Sequence, residues 1–126
     1  MVKGALIQNG VHLEDHEYET VKYFLDLGAD VELIPPSQIK YLRMPDIIMN
    51  GISWEMKSPV GKGKYTIQNI LQSAAGQSRN IIIDLRRCKM PSEEAINKIR
   101  REFDKSKNIH CMKVIQKNGE LLDFEK

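Results

Sequence analysis

Residues 45–57 of this 126-residue chain read PDIIMNGISWEMK, and the architecture can be predicted outward from them. Asn50-Gly51 is a strong signal for a tight two-residue β-turn, and short apolar runs flank it on both sides. We therefore predict a hairpin with strands at Asp46–Met49 and Ile52–Lys57. Because alternate side chains of a strand share one face, the second strand has an apolar face and a polar one.

The polar face of this hairpin carries the residues that indicate a catalytic site. Glu55 and Lys57 point the same way, and Asp46 opens the partner strand. Two neighbouring carboxylates repel each other unless a cation lies between them, and such hard oxygen ligands suit Mg²⁺ or Mn²⁺. A nearby lysine can stabilise charge that develops on a phosphate. The pattern predicts a metal-dependent phosphodiester hydrolysis site, whereas the ordinary alternative is a salt-bridged solvent face.

The remaining elements follow from periodicity and turn residues. Residues 4–7 are expected to form a short strand or a packed arm. Further predicted elements are helices over 13–27, over 65–77 and from 91 onward, strands over 30–34 and 80–85, and a final hairpin over 110–116 and 120–124. The order α-β-β-β-α-β, then α-β-β, predicts an α/β fold with a mixed central sheet flanked by helices. We expect a single domain over 1–126 with its core at about 13–87.

The composition of the chain excludes some classes of protein, and its charge distribution bears on the kind of partner it binds. With 41% hydrophobic and 29% charged residues, the chain has an ordinary globular composition, with no apolar run long enough for a membrane span and no segment typical of a signal peptide. Its cysteines, Cys88 and Cys111, are too few for a disulfide framework. Residues 1–56 hold four basic and nine acidic side chains, and residues 57–113 hold thirteen and five. This asymmetry suggests a polyanionic partner, although a solvated asymmetry without a role is an equal alternative.

A resemblance to known proteins starts from the same hairpin. Pro45-Asp46, followed after eight residues by Glu55-Met56-Lys57, resembles the PD-(D/E)XK nuclease signature, and the αβββαβ order is similar to that superfamily's core. A more specific resemblance, over about residues 12–90, is to the C-terminal tRNA nuclease domains of CdiA-type contact-dependent growth inhibition toxins. The matching segments are 16–20, 45–51, 54–59, Gln77 and 80–86.

The resemblance implies roles for the polar residues of the hairpin. Asp46 and Glu55 would be metal ligands for Mg²⁺ or Mn²⁺, with the Met56 carbonyl as a third oxygen. Lys57 would be the catalytic lysine.

The resemblance also implies a glutamate from the first helix. Glu17 is preferred because it lies one turn before the core residue Val21, and Glu19 is the alternative. Either carboxylate could instead complement the helix dipole. Gln77 resembles a glutamine that supports the site in the superfamily. His16 could assist as a general base, but a surface position at the helix terminus is the more ordinary interpretation.

Several basic or polar residues are candidates for holding the nucleic acid. Those expected to contact it are Lys62 and Lys64 on a glycine-containing loop, Thr66 at a helix start, and Arg86 and Arg87 after the central strand. For the loop lysines, a flexible solvated loop is the alternative. Trp54 is expected in the core, which leaves Tyr41 and Tyr65 better placed to stack on a base.

The function implied by the resemblance is that of an RNA endonuclease, with tRNA as substrate. The domain would be the C-terminal part of a secreted or phage-encoded effector that acts in the target-cell cytoplasm, and a cognate immunity protein would block it. One alternative is a DNA endonuclease of the same superfamily for repair, restriction or junction resolution. Another is a non-catalytic nucleic-acid-binding module.

Overall fold

Seven strands form one mixed sheet, and their order across the sheet is their order along the chain. The computed structural model describes residues 2–126. Its elements are β1 (Leu6–Ile7), α1 (Asp15–Asp26), β2 (Val31–Leu33), β3 (Ile47–Met49), β4 (Ile52–Lys57), α2 (Thr66–Ala75), β5 (Asn80–Asp84), α3 (Ser92–Lys105), β6 (Cys111–Ile115) and β7 (Leu121–Glu125). The predicted α/β class and the αβββαβ order from α1 to β5 are confirmed.

Antiparallel neighbours in the sheet are joined by loops, whereas parallel neighbours are joined by helical crossovers. β2, β3 and β4 are antiparallel neighbours, as are β6 and β7. β4, β5 and β6 pair in parallel, and α2 and α3 supply the crossovers between them. The short β1 pairs in parallel with β2, so the N-terminal residues form a strand at the sheet edge. None of the helices between residues 2 and 126 combines the length and apolar content needed to span a membrane.

The core consists of two layers that meet at β5. Ile81 and Ile83 belong to the cluster under α2 and α3, whereas Ile82 belongs to the cluster under α1. All three are fully buried because helices cover both faces of this strand. Trp54 is buried in the α1 cluster, as expected. The side chain of Glu55, next along β4, therefore faces the side of the sheet that carries α2.

The β3–β4 hairpin has the predicted turn. Asn50 and Gly51 both have positive φ, 50° and 85°, which is the backbone of a type I′ turn. The turn fixes the register so that Ile47 pairs with Trp54. The same ladder continues one residue further, where the Asp46 N–H donates to the Trp54 carbonyl at 3.0 Å.

Candidate active site

The structure brings Asp46, Glu55 and Lys57 together at the end of the β3–β4 hairpin. Lys57 Nζ lies 3.3 Å from Glu55 Oε2. The Asp46 carboxyl is close enough to the Glu55 carboxyl to raise its pKa, and Asp46 Oδ2 accepts a 2.8 Å hydrogen bond from the Met56 N–H. Glu55 is only 2% exposed, so this cluster is a buried acidic pair with one ammonium beside it.

The cluster has too little positive charge to keep both of its carboxyl groups ionised. Burial raises the pKa of Glu55 to about 8, with further increases from the hydrogen bond and the charge of Asp46, while Lys57 lowers it. Glu55 Oε1 is buried and has no hydrogen-bond partner. Without a cation, Glu55 is therefore protonated near neutral pH, because the single ammonium of Lys57 does not offset burial and repulsion.

The donor set fits a hard divalent cation held by few protein ligands. No group of three or more His, Cys, Asp or Glu side chains converges on one point within residues 2–126. A cation would therefore bind to the two carboxylates of Asp46 and Glu55, with backbone or water oxygens completing its shell. Mg²⁺ commonly uses one or two carboxylates and keeps several waters, so the buried, unpartnered Oε1 of Glu55 is compatible with it.

Glu17 and Gln77 face the same cleft as Asp46, a cavity of about 360 Å³ lined in part by the β2–β3 loop (residues 34–46). Each of them also has a hydrogen bond of its own. Glu17 Oε1 accepts a 2.9 Å bond from the Glu14 N–H, so it closes the first turn of α1. This bond explains why α1 begins at Asp15 and not at residue 13.

Gln77 is held in place by an arginine that the sequence did not single out. Its Oε1 accepts a 2.7 Å hydrogen bond from Arg43 Nη2, which also donates to Ser73 Oγ at 3.0 Å. Arg43 thus ties the β2–β3 loop to the end of α2. The arrangement fixes part of the wall of the cleft that Glu17 also lines.

A second cavity of about 250 Å³ lies where β4 and β5 end and α1 begins. Its lining residues are His16, Glu19, Ser58, Asp84, Arg86 and Arg87. Glu17 and Glu19 therefore face different cavities, and the preferred Glu17 is the one that shares a cleft with Asp46. His16 pairs with Glu14, with Nδ1 to Oε2 at 3.5 Å, and does not line the Asp46 cleft.

Asp84 is a buried carboxylate that reasoning from the sequence did not single out. Arg86 donates two hydrogen bonds to this carboxylate, from Nε to Oδ1 at 3.0 Å and from Nη2 to Oδ2 at 2.8 Å. The Thr20 hydroxyl donates a third, to Oδ2 at 2.7 Å. Burial raises the pKa of Asp84, but the hydrogen bonds from Arg86 and Thr20 outweigh it and hold the pKa below its ordinary value. The available signal was a carboxylate that ends an apolar strand directly before two arginines.

Arg86 has contacts that favour a positioning role over contact with nucleic acid. Besides Asp84, its Nη2 donates to the Glu19 carbonyl at 2.9 Å, which joins β5 to α1. Arg87 instead reaches back to the residue after Lys57, with Nε to Ser58 Oγ at 2.8 Å and Nη2 to the Ser58 carbonyl at 3.0 Å. Arg87 is therefore the arginine adjacent to the acidic cluster along the surface.

The other predicted nucleic-acid residues lie on or after the β4–α2 loop (residues 58–65). Lys62 and Lys64 are exposed, and neither forms an ion pair within residues 2–126. Thr66 is the first residue of α2, and its N–H donates to the Gly63 carbonyl at 3.1 Å. This backbone donor is therefore already used, while the lysines remain free to meet an anion.

Comparisons with known proteins identify the family and support the fold. A search of curated proteins gives no match. Among solved structures, the chain is similar to the CdiA-CT/CdiI toxin and immunity complex from Burkholderia pseudomallei, with a TM-score of 0.69, 16% identity and coverage of 98% of this chain and 100% of that chain. At this identity the similarity shows the fold. The sequence profile of the contact-dependent growth inhibition CdiA C-terminal domain matches residues 43–121, more than half of the chain. The chain therefore belongs to the CdiA C-terminal domain family of contact-dependent growth inhibition.

Proposed function

We propose that this domain is a metal-dependent endonuclease of the PD-(D/E)XK superfamily that cleaves RNA, with tRNA as the favoured substrate. The observation that carries the proposal is the cluster of Asp46, Glu55 and Lys57, in which a buried acidic pair has a single ammonium beside it. A surface ion pair would leave neither a buried carboxylate oxygen without a partner nor a strongly raised pKa.

Each residue of the cluster has a defined task in this proposal. Asp46 and Glu55 would hold Mg²⁺ or Mn²⁺, and a bound ion of this kind polarises a phosphate and activates water. Lys57 keeps its ammonium beside the reacting phosphate and stabilises the negative charge that develops there. Glu17 and Gln77, which line the same cleft, orient groups at its walls.

The biological setting is proposed from the family. The solved relative is a toxin in complex with its immunity protein. We expect this domain to act as the toxin part of a larger effector, inside the target cell, and to be blocked by a cognate immunity protein. The net positive charge of residues 57–113 is compatible with a nucleic acid as substrate.

A cleavage assay tests the proposal. Purified wild type, Glu55→Gln and Lys57→Ala are incubated with total tRNA and, separately, with supercoiled plasmid, in Mg²⁺ or in EDTA. Lys105→Ala is the matched control, because Lys105 forms an ion pair of similar length, 3.2 Å from Glu102, at the end of α3. We expect tRNA cleavage in Mg²⁺ by wild type and control only.

Other results would redirect the proposal. Plasmid nicking with tRNA spared would indicate a DNA endonuclease. Binding without cleavage of either nucleic acid would indicate a non-catalytic module.

A further inference from the structure

Two exposed Lys-Tyr pairs lie on the two loops that flank the acidic cluster. Lys40 Nζ is 5.0 Å from the ring centroid of Tyr41, and Lys64 Nζ is 5.5 Å from that of Tyr65. Both rings are open to solvent, at 89% and 57% exposure. The first pair lies on the β2–β3 loop, which leads into Asp46, and the second ends the β4–α2 loop, which follows Lys57.

The backbone of Tyr41, which carries the exposed ring, has a conformation that costs energy. Tyr41 has a φ of 68°, in the left-handed region that bulky residues avoid. The loop is nevertheless held in place, because the Leu42 N–H donates to the Ile39 carbonyl at 3.2 Å and Arg43 is bonded to Ser73 and Gln77. A strained, anchored residue whose ring touches solvent suggests a binding role for that ring.

The basic side chains on these two loops have no acidic partner within the part of the chain that the structure describes. Lys40, Arg43, Lys62 and Lys64 form no ion pair within residues 2–126. A nucleotide combines a flat base with an anionic phosphate, and an aromatic ring with an ammonium beside it complements both parts at once. Ile39, Leu42 and Met44 are also exposed on the first loop, as at a protein interface, but the repeated pairing of cation and ring favours a nucleotide.

We propose that Tyr41 and Tyr65 are stacking platforms for unpaired bases on either side of the scissile phosphate, with Lys40 and Lys64 holding the adjoining phosphates. This inference rests on the proposed nuclease function and narrows its substrate. A base inside a duplex cannot stack on a side chain outside it, so the segment bound at the site is single-stranded: a loop, a bulge or an end.

The test measures binding without cleavage. In EDTA, the protein is titrated with a short single-stranded oligoribonucleotide that contains 2-aminopurine, whose fluorescence is quenched by stacking, and with the same strand in a duplex. We expect Tyr41→Ala and Tyr65→Ala each to weaken single-strand binding roughly tenfold and to reduce the quenching. Tyr41→Phe and Tyr65→Phe should restore both signals.

A third tyrosine provides the control. Tyr18 on α1 is 44% exposed, has no cation over its ring and lines neither cavity, so Tyr18→Ala should bind like wild type. Circular dichroism of each variant shows that the fold is retained.

The outcomes separate this inference from the proposed function. Unchanged single-strand binding in either Tyr→Ala variant overturns the inference, even if tRNA is cleaved, and would leave the exposed residues of the first loop to a protein partner. Ring-dependent binding by a protein that cleaves nothing supports the inference and contradicts the nuclease. Wild type that binds no single strand in EDTA overturns the inference, and the cleavage assay in Mg²⁺ then decides the proposed function separately.

Discussion

Lys57 Nζ lies 3.3 Å from Glu55 Oε2, while the other oxygen of the same carboxyl group, Oε1, is buried without a partner. One ammonium thus satisfies half of a carboxyl group that also lies against Asp46. Leaving a buried polar atom unpaired costs free energy, so the native state carries an unfavourable arrangement at this point. Functional sites are where such arrangements are expected, because the missing partner is supplied by a ligand.

Replacing Glu55 by its neutral isostere should separate stability from activity. Glu55→Gln removes the buried acid but keeps its shape, so we expect the metal-free variant to melt at the wild-type temperature or above. The same variant should lose roughly 10²-fold or more of its tRNA cleavage. Thermal unfolding in EDTA and a single-turnover cleavage assay measure the two effects. A lower melting temperature would show that the charged cluster stabilises the fold.

The raised pKa of Glu55 predicts how stability depends on pH without metal. Its pKa is about 8 in the folded protein and an ordinary 4.5 when unfolded, so the folded state binds this proton more tightly. The stability from this group is therefore fully present below pH 4.5 and is lost as the pH rises through about 8. Between these two pH values we expect the free energy of unfolding to fall by ~1.4 kcal/mol per pH unit at most. Urea unfolding in EDTA at a series of pH values measures this slope.

The same series with Glu55→Gln provides the comparison. The variant cannot titrate at this position, so its free energy of unfolding should be flatter between the two values. Equal slopes in both proteins would assign the dependence to other groups.

Divalent cations should stabilise the wild type in a pH-dependent way. A cation that binds Asp46 and Glu55 must displace the proton on Glu55, so its apparent affinity should increase as the pH approaches 8. We expect Mg²⁺ to raise the melting temperature more at about pH 8 than at about pH 6, and to have little effect on Glu55→Gln. Differential scanning fluorimetry with Mg²⁺ and with Mn²⁺ tests this. A pH-independent shift that persists in Glu55→Gln would place the cation elsewhere.

The two neighbouring arginines should differ sharply in their importance for stability. Arg86→Ala leaves Asp84 buried with only Thr20 as a side-chain partner, and we expect a loss of about 2–3 kcal/mol. The value is below that of a fully buried pair because the Arg86 side chain is 32% exposed. Arg87→Ala is the matched control and should cost under about 1 kcal/mol, because it removes only hydrogen bonds to Ser58. Urea denaturation at neutral pH measures both, and equal losses would contradict the assigned roles.

The parts of the fold and site that could be predicted are those with local causes. Asn50-Gly51 specifies its own turn, because few other residue pairs adopt positive φ at both positions. That turn sets the register, and the register places Asp46 beside Glu55. The acidic pair and Lys57 could therefore be predicted from thirteen consecutive residues, 45–57.

The parts that could not be predicted depend on how distant elements pack. The Thr20–Asp84 hydrogen bond joins residues 64 apart, and its formation requires α1 to lie against the end of β5. In the sequence, Arg86 and Arg87 are equivalent, and only the tertiary structure directs one to Asp84 and the other to Ser58. The left-handed backbone at Tyr41 has no sequence signature at all, because tyrosine ordinarily avoids it.

The agreement between strand order and chain order has a mechanical consequence. Each terminal strand is also an edge strand, and once it is removed the next strand along the chain becomes the new edge. Pulling on either terminus can therefore dismantle the sheet one ladder at a time, and no strand has to be extracted from between two others. The first ladder from the N terminus is the shortest, since β1 pairs through only Leu6 and Ile7. A domain built in this way should unfold under tension as a series of small steps, beginning at its N-terminal edge.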